Sequence, residues 1–277
     1  MPLKNIPNTG QDVLFALKRI AVGPYRVRRA QLYGVGIGKS GTHSLANMFS
    51  KNVRARHEPE AEELIEKILD WRSGRLSENE MAAWLRARDR RLAIEVDSSG
   101  PNFQMVDLLL REFPRARFVL TIRDCYSWLN SMMNEVLRSP NAPAPWFRLR
   151  KFYYERVPVV HAPEEQGLKA QGLYSLDAYF SHWAMRNGQA IAKIPADRLF
   201  IVRTDQLRER AYELADFAGL PHRSVRPHRT HEYKNPGKRP ILREIDRAFL
   251  EQKVEQHCRP LMTRFFPEIK SLDDAKL

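Results

Sequence analysis

Two rhythms alternate along the chain. Short, nearly continuous apolar runs rich in β-branched residues read as buried strands, and stretches with apolar residues at three- and four-residue spacing read as amphipathic helices. Strands are expected at 31–37, 53–56, 92–96, 117–122 and 198–203. Helices are expected at 42–51, 60–71, 77–90, 102–113, 124–137, 175–194, 207–217 and 241–266. Leu64, Ile65, Ile68 and Leu69 share one side of the second helix, and Leu176, Tyr179, Phe180, Trp183 and Ile191 form the inner side of the long one at 175–194. Punctuation supports these limits: Ser77 to Glu80 makes a capping box, Asp124 and Ser175 are N-cap residues, Pro114 follows a helix end, and Gly219 is a glycine stop. Strands alternating with helices predict an α/β fold, a parallel sheet with helices on both faces, whose ligands gather at the carboxyl ends of the strands.

Three segments break the rhythm. Residues 1–30 form a basic N-terminal extension with a short helix expected at 11–21. Residues 139–173 carry Pro140, Pro143, Pro145, Pro158 and Pro163 and read as an irregular, lid-like insertion. Residues 222–240 form a basic loop. No linker-like composition divides 31–277, so one domain is expected there.

The 277 residues carry a formal charge of +13, with 43% hydrophobic and 29% charged residues. That is an ordinary globular balance whose excess positive charge favours anionic partners. The basic residues are dispersed apart from Arg26 to Arg29 and Arg86 to Arg91, and no nucleic-acid signature accompanies them. No apolar run is long enough for a membrane span, and no signal core is evident. Two cysteines, Cys125 and Cys258, make neither a disulfide framework nor a metal cluster, and a reducing cytoplasm is the expected location.

Chemistry concentrates where the first strand ends. Leu32-Tyr33-Gly34-Val35-Gly36-Ile37-Gly38-Lys39-Ser40-Gly41-Thr42-His43-Ser44 passes from apolar run to glycine-rich loop to helix start. Free backbone N–H groups, a close-approaching glycine backbone and one lysine together suit a phosphate or sulfate. Gly38-Lys39-Ser40 matches the end of the GxxxxGK[ST] nucleotide loop, but the glycine due at position 33 is Tyr33. A second basic point follows the strand at 117–122, where Arg123-Asp124 precedes Ser131 by a spacing that turns the serine back toward the strand end.

Lys39-Ser40-Gly41-Thr42 resembles the KSGTT or RSGTT loop of sulfotransferases that use 3′-phosphoadenosine-5′-phosphosulfate (PAPS). Arg123 with Ser131 is similar to that family's 3′-phosphate site. Tyr179 to Trp183, the stretch from Asp197 to Leu207, and Gly219-Leu220-Pro221 extend the likeness over roughly 31–240. The resemblance implies a P-loop-like sulfotransferase fold. It implies a 5′-phosphosulfate held by Gly38, Lys39, Ser40, Gly41, Thr42, His43 and Ser44, and a 3′-phosphate held by Arg123 and Ser131. His43 departs from the Thr or Ser usual there. The C-terminal Arg-Lys-Gly loop of cytosolic members is absent; Lys234 to Arg239 lies at a comparable place and brings Lys238 toward the 3′-phosphate.

Sulfuryl transfer to a hydroxyl or amine needs a base, donors for the migrating oxygens, and a cation for the leaving phosphate, a role that suits Lys39. The base is open among Glu58, Glu95, His57 and Asp97. Glu58 stands where tyrosylprotein sulfotransferases carry a Glu, and Glu95 where heparan-type members carry theirs; both are expected at strand carboxyl ends. No metal is required. The acceptor is expected to be small, with Trp146, Phe147, Phe152, Tyr153 and Tyr154 suiting an apolar or aromatic body. Two other classes stay in view: an ATP- and Mg²⁺-dependent kinase, and a non-catalytic polyanion-binding module.

Overall fold

The computed structural model describes residues 28–49, 51–155, 159–231 and 237–277. The helix expected at 11–21, most of the basic extension, and Lys234 to Pro236 lie outside the described residues. In chain order the elements are β1 (Leu32–Gly34), α1 (Thr42–Asn47), β2 (Ala55–His57), α2 (Ala61–Arg72), α3 (Glu78–Leu92), β3 (Val96–Ser98), α4 (Val106–Glu112), β4 (Arg117–Ile122) and α5 (Cys125–Arg138). They continue with α6 (Ala144–Tyr154), α7 (Gln166–Ala170), α8 (Leu176–Lys193), β5 (Leu199–Arg203), α9 (Ala211–Phe217), α10 (Arg247–His257) and α11 (Arg259–Phe265).

The five strands form one sheet in the order β2-β3-β1-β4-β5, every pair parallel. Successive side chains serve opposite faces, as the period of a strand demands. On one face Tyr33, Val35, Phe118 and Leu120 pack with Leu64, Leu85 and Leu109 of the helices. On the other, Leu32, Val96, Val119 and Val202 meet Leu45, Met48 and Leu214. Trp128 of α5 and Trp183 of α8 are wholly buried in a third cluster shared with α10 and α11. The molecule is therefore an α/β protein with a doubly covered parallel sheet.

Strand order decides where a ligand belongs. From β1 the chain proceeds to β2 and β3 on one side, then crosses to β4 and β5 on the other. The connections leaving β1 and β4 diverge, and the crevice between them at the carboxyl edge is the usual ligand position in such sheets. Beneath that crevice the packing is tight. A Cβ on Gly36 would lie 2.1 Å from Thr121 Oγ1, so only glycine lets the chain leave β1 against β4 there.

Several expected elements shift. The strand expected at 92–96 is instead β3, at Val96–Ser98. Leu92 closes α3, whose C-cap Ala93 is left-handed (φ 48°). The 139–173 insertion is not irregular: α6 and α7 lie in it, Pro143 and Pro145 falling at the cap and first turn of α6, where a missing N–H costs nothing. The helix α6 packs against α2 and α8. The C-terminal helix is broken into a 3₁₀ turn, α10 and α11. The helix expected at 42–51 is only the six-residue α1, too short for a sizeable dipole, so side-chain cations weigh more at the loop than the sequence suggests.

Candidate active site

The loop after β1 is held both by its own turn, Ser40 N donating to the Ile37 carbonyl at 3.1 Å, and by its neighbours. Trp128 Nε1 donates to the Gly38 carbonyl at 2.9 Å. Ser40 Oγ donates to the Ile37 carbonyl at 2.6 Å and lies 3.1 Å from Thr121 Oγ1. From the end of β5, Thr204 Oγ1 donates to the Ser40 carbonyl and, at 3.1 Å, to that of Ile122. Lys39 sits in the left-handed region at φ 68°, a conformation that costs a non-glycine residue energy and marks a surrounding structure that imposes it.

Across the crevice, Asp124 caps α5 by accepting from Ser127 N at 2.8 Å. Arg123 is thereby turned toward the loop. Its Nε donates to Ser127 Oγ at 2.8 Å and its Nη1 to the Lys39 carbonyl at 3.4 Å. Trp183 Nε1 donates to the Arg123 carbonyl at 3.0 Å. The two basic points singled out in the sequence thus lie in direct contact.

Both open into one cavity of about 1210 Å³. Gly38, Lys39, Gly41, Thr42, His43 and Ser44 line it, as do Arg123, Ser131, Lys238, His57 and Glu58. Ser40 does not; it is buried beneath the loop and shapes it. A single small ligand commonly takes roughly 300–1,000 Å³, so this volume admits a nucleotide and a second molecule together.

The cations crowd one another. Lys238 is pushed down to about 8, by burial first and then by Arg123, with Lys39 adding to the repulsion. Arg123 is itself lowered by burial. Such a cluster is relieved by a polyanion. Meanwhile Lys39 Nζ rests 3.0 Å from Glu135 Oε2, one turn beyond Ser131 on α5.

The four candidate bases separate clearly. Glu58 follows β2 in a left-handed conformation (φ 50°), its N–H donating to the Ser98 carbonyl at 3.2 Å. Burial pushes its carboxyl up to about 7, with Asp97 adding to the rise; a hydrogen bond from the Gly100 N–H and the charge of Lys39 oppose it. His57 Nε2 is 3.1 Å from Thr42 Oγ1, and its ring centroid lies 4.9 Å from that of His43. Burial first, then His43, pulls His57 down to about 4, so it is neutral at physiological pH.

Glu95 is not at a carboxyl end, contrary to expectation. It precedes β3 at the amino edge, where it is buried and outside the cavity. It accepts from Arg54 N at 2.9 Å, from Arg29 N at 3.1 Å and from Arg29 Nε at 3.2 Å. Burial opposes its ionisation, yet these bonds hold its carboxyl below the usual range. Asp97 is likewise consumed by structure, accepting from Arg88 Nη1 (2.9 Å), Ser99 Oγ (2.6 Å) and Asn102 Nδ2 (3.1 Å).

Trp146, Tyr153 and Tyr154, singled out in the sequence for an acceptor, line the cavity, whereas Glu135, Arg186 and Thr204 line it without having been assigned a role there. Glu135 had a signal, being four residues after Ser131 and so on the same helical face. Thr204, directly after a buried strand, had a weaker one.

A model of the sulfotransferase domain matches residues 31–206, a stretch that takes in β1 through β5 and both basic points. The chain belongs to the sulfotransferase family. No curated protein sequence matches it. In structure it is similar to the sulfotransferase from Alicyclobacillus acidocaldarius, with a TM-score of 0.51 and 15% identity over 87% of this chain and 99% of that one. It is also similar to sulfotransferase STF9 from Mycobacterium avium, with a TM-score of 0.46 and 13% identity over 94% of this chain and 86% of that one. At these identities the first likeness concerns the fold. Sulfuryl transfer is the general chemistry of this sulfotransferase domain, and no helix among its described residues is long and apolar enough to cross a membrane.

Proposed function

We propose that the protein transfers the sulfuryl group of PAPS to a hydroxyl of a small acceptor, with Glu58 as general base. The observation that carries this reading is the contact between the two basic points. Arg123 Nη1 donates to the carbonyl of Lys39 itself, and both side chains open into one cavity, so a single nucleotide can engage both. Lys39 would neutralise charge gathering on the leaving phosphate oxygen, while Gly38, Gly41, Thr42, His43 and Ser44 surround the sulfuryl end. Arg123, Ser131 and Lys238 would take the 3′-phosphate, with the guanidinium suited to a forked contact.

Glu58 is favoured among the candidate bases because it alone combines position with a suitable proton affinity. At about 7 its carboxyl is partly ionised at neutral pH, where a general base is most effective. Neutral His57 binds protons too weakly for the task, Glu95 lies at the opposite edge of the sheet, and Asp97 has spent its oxygens. Glu58 accepts the acceptor's proton while the acceptor oxygen bonds to sulfur and the bond between sulfur and the phosphate oxygen breaks. The products are a sulfate ester and 3′-phosphoadenosine-5′-phosphate (PAP).

Calorimetric titration with PAP and, separately, with ATP and Mg²⁺ tests the donor assignment. Preference for PAP, lost in Arg123→Ala, supports it. Equal or tighter binding of ATP would turn the reading to a kinase, and salt-sensitive polyanion binding untouched by Lys39→Ala would turn it to a binding module.

A further inference from the structure

Part of the cavity lining is aromatic and basic. Tyr153, Tyr154 and His182 meet there, with ring centroids 4.8 Å apart between Tyr153 and His182 and 4.9 Å apart between Tyr154 and His182. Arg186, only 2% exposed, lies beneath them. Its guanidinium is 3.8 Å from the Phe103 ring centroid and 5.1 Å from that of Tyr153, and its Nη2 donates to the Gly100 carbonyl at 2.9 Å. Gly100 is the residue whose N–H serves Glu58, so this wall begins at the candidate base.

The aromatic wall leads onward. Tyr154 lies 5.0 Å from Tyr174, which lines a second, more open cavity of about 810 Å³. Arg150 and Val136 line both cavities and so join them. Around the second cavity stand Arg150, Lys151 and Lys169, and among the described residues lining it the one acid is Glu155, which accepts from Tyr174 OH at 3.0 Å. Arg150 makes no ion pair with any described carboxylate; its guanidinium lies 5.9 Å from the Phe147 ring centroid. Half-buried where the two cavities meet, Arg150 presents its charge to whatever enters either of them.

Resting on the sulfuryl-transfer reading, we infer that the acceptor is an elongated hydroxy acid. Its hydroxyl lies at Glu58, its apolar or aromatic body against Tyr153 and Tyr154, and its carboxylate, phosphate or sulfate at Arg150 in the second cavity. Three cations against one hydrogen-bonded acid favour an anion there, and the tilted and edge-on rings between favour a planar or apolar spacer. A neutral acceptor of the same body leaves Arg150 without a counter-charge. Arg150 is then a specificity-determining residue, remote from the sulfuryl group.

Equilibrium binding to the PAP-saturated protein tests this with matched pairs: 4-hydroxycinnamate against its methyl ester, and 12-hydroxydodecanoate against its methyl ester. For at least one skeleton the acid should bind tenfold or more tighter than the ester. Arg150→Ala should bring that ratio near one, and Arg150→Lys should restore part of it. PAP affinity should be the same in all three proteins, which separates this proposal from the donor assignment. Failure of PAP to bind the wild type defeats the donor assignment. Equal binding of acid and ester to the wild type, or a loss in Arg150→Ala that falls equally on both, overturns the acidic-acceptor proposal.

Discussion

Lys238 offers a test that needs no knowledge of the acceptor. Its ammonium is held down to about 8 by burial and by the neighbouring Arg123 and Lys39. A bound 3′-phosphate supplies the missing counter-charge, so the proton affinity must rise on binding. For a complete return to the ordinary 10.5, the site holds roughly a tenth of a proton at pH 9 when free and nearly a whole one when occupied, an uptake of roughly 0.9 proton. At pH 7 the group is already about nine-tenths protonated, and the uptake shrinks to roughly 0.1. The sign follows: PAP affinity is greatest below pH 8 and weakens as pH rises above it, by up to about tenfold per unit. Phosphate groups lose their last proton near pH 6, and Glu58 is ionised well before pH 9, so neither contributes there. Calorimetry of PAP binding at pH 9 in two buffers of different ionisation enthalpy measures the uptake directly. Lys238→Ala should abolish it. A binding enthalpy independent of the buffer, or an uptake that survives in Lys238→Ala, refutes the assignment of Lys238 to the nucleotide.

Further outcomes follow from the same geometry. Glu58→Gln should lower kcat by roughly 10²- to 10⁴-fold while leaving PAP affinity nearly unchanged; the wild-type kcat/KM should fall as pH drops through about 7, because the carboxylate is the active form. Glu135→Gln removes a carboxylate 3.0 Å from Lys39 in a partly exposed pair, and PAP should bind about two- to fivefold tighter by titration; weaker binding would contradict competition between Glu135 and the nucleotide. Gly36→Ala drives a Cβ to 2.1 Å from Thr121 Oγ1 and 2.7 Å from the Thr121 carbonyl oxygen, and should cost about 1–3 kcal/mol of stability in chemical denaturation.

What could be read from the sequence was what local chemistry dictates. The strand at Arg117–Ile122 is continuous and apolar, and Asp124 and Ser175 carry their own capping signals; all three elements stand where the pattern puts them. The glycine-rich loop and Arg123 share a cavity because parallel strands deliver their carboxyl ends to one edge. The failure at Glu95 has an equally physical cause. Leu92, Ile94 and Val96 alternate as a strand should, but the first belongs to a helix end. The true strand is Val96-Asp97-Ser98, whose buried polar side chains are satisfied by Arg88, Asn102 and the Thr42 carbonyl. Hydrophobic periodicity carries no trace of such a strand. The prolines of 139–173 suggested irregularity because their place at a helix start depends on neighbours the pattern does not reveal. Arg150 and Arg186 gave no signal either, since a basic residue on a helix is ordinarily a solvated one.

Each of the two basic segments at the cavity is tethered through its backbone to an indole: Gly38 to Trp128 and Arg123 to Trp183. Both rings are sealed from water, so the protein groups around them, including the carbonyl that each N–H meets, set the field each indole feels. Any occupant that pulls either segment by a fraction of an ångström changes that field. Tryptophan emission followed during a titration would register such a displacement without a label.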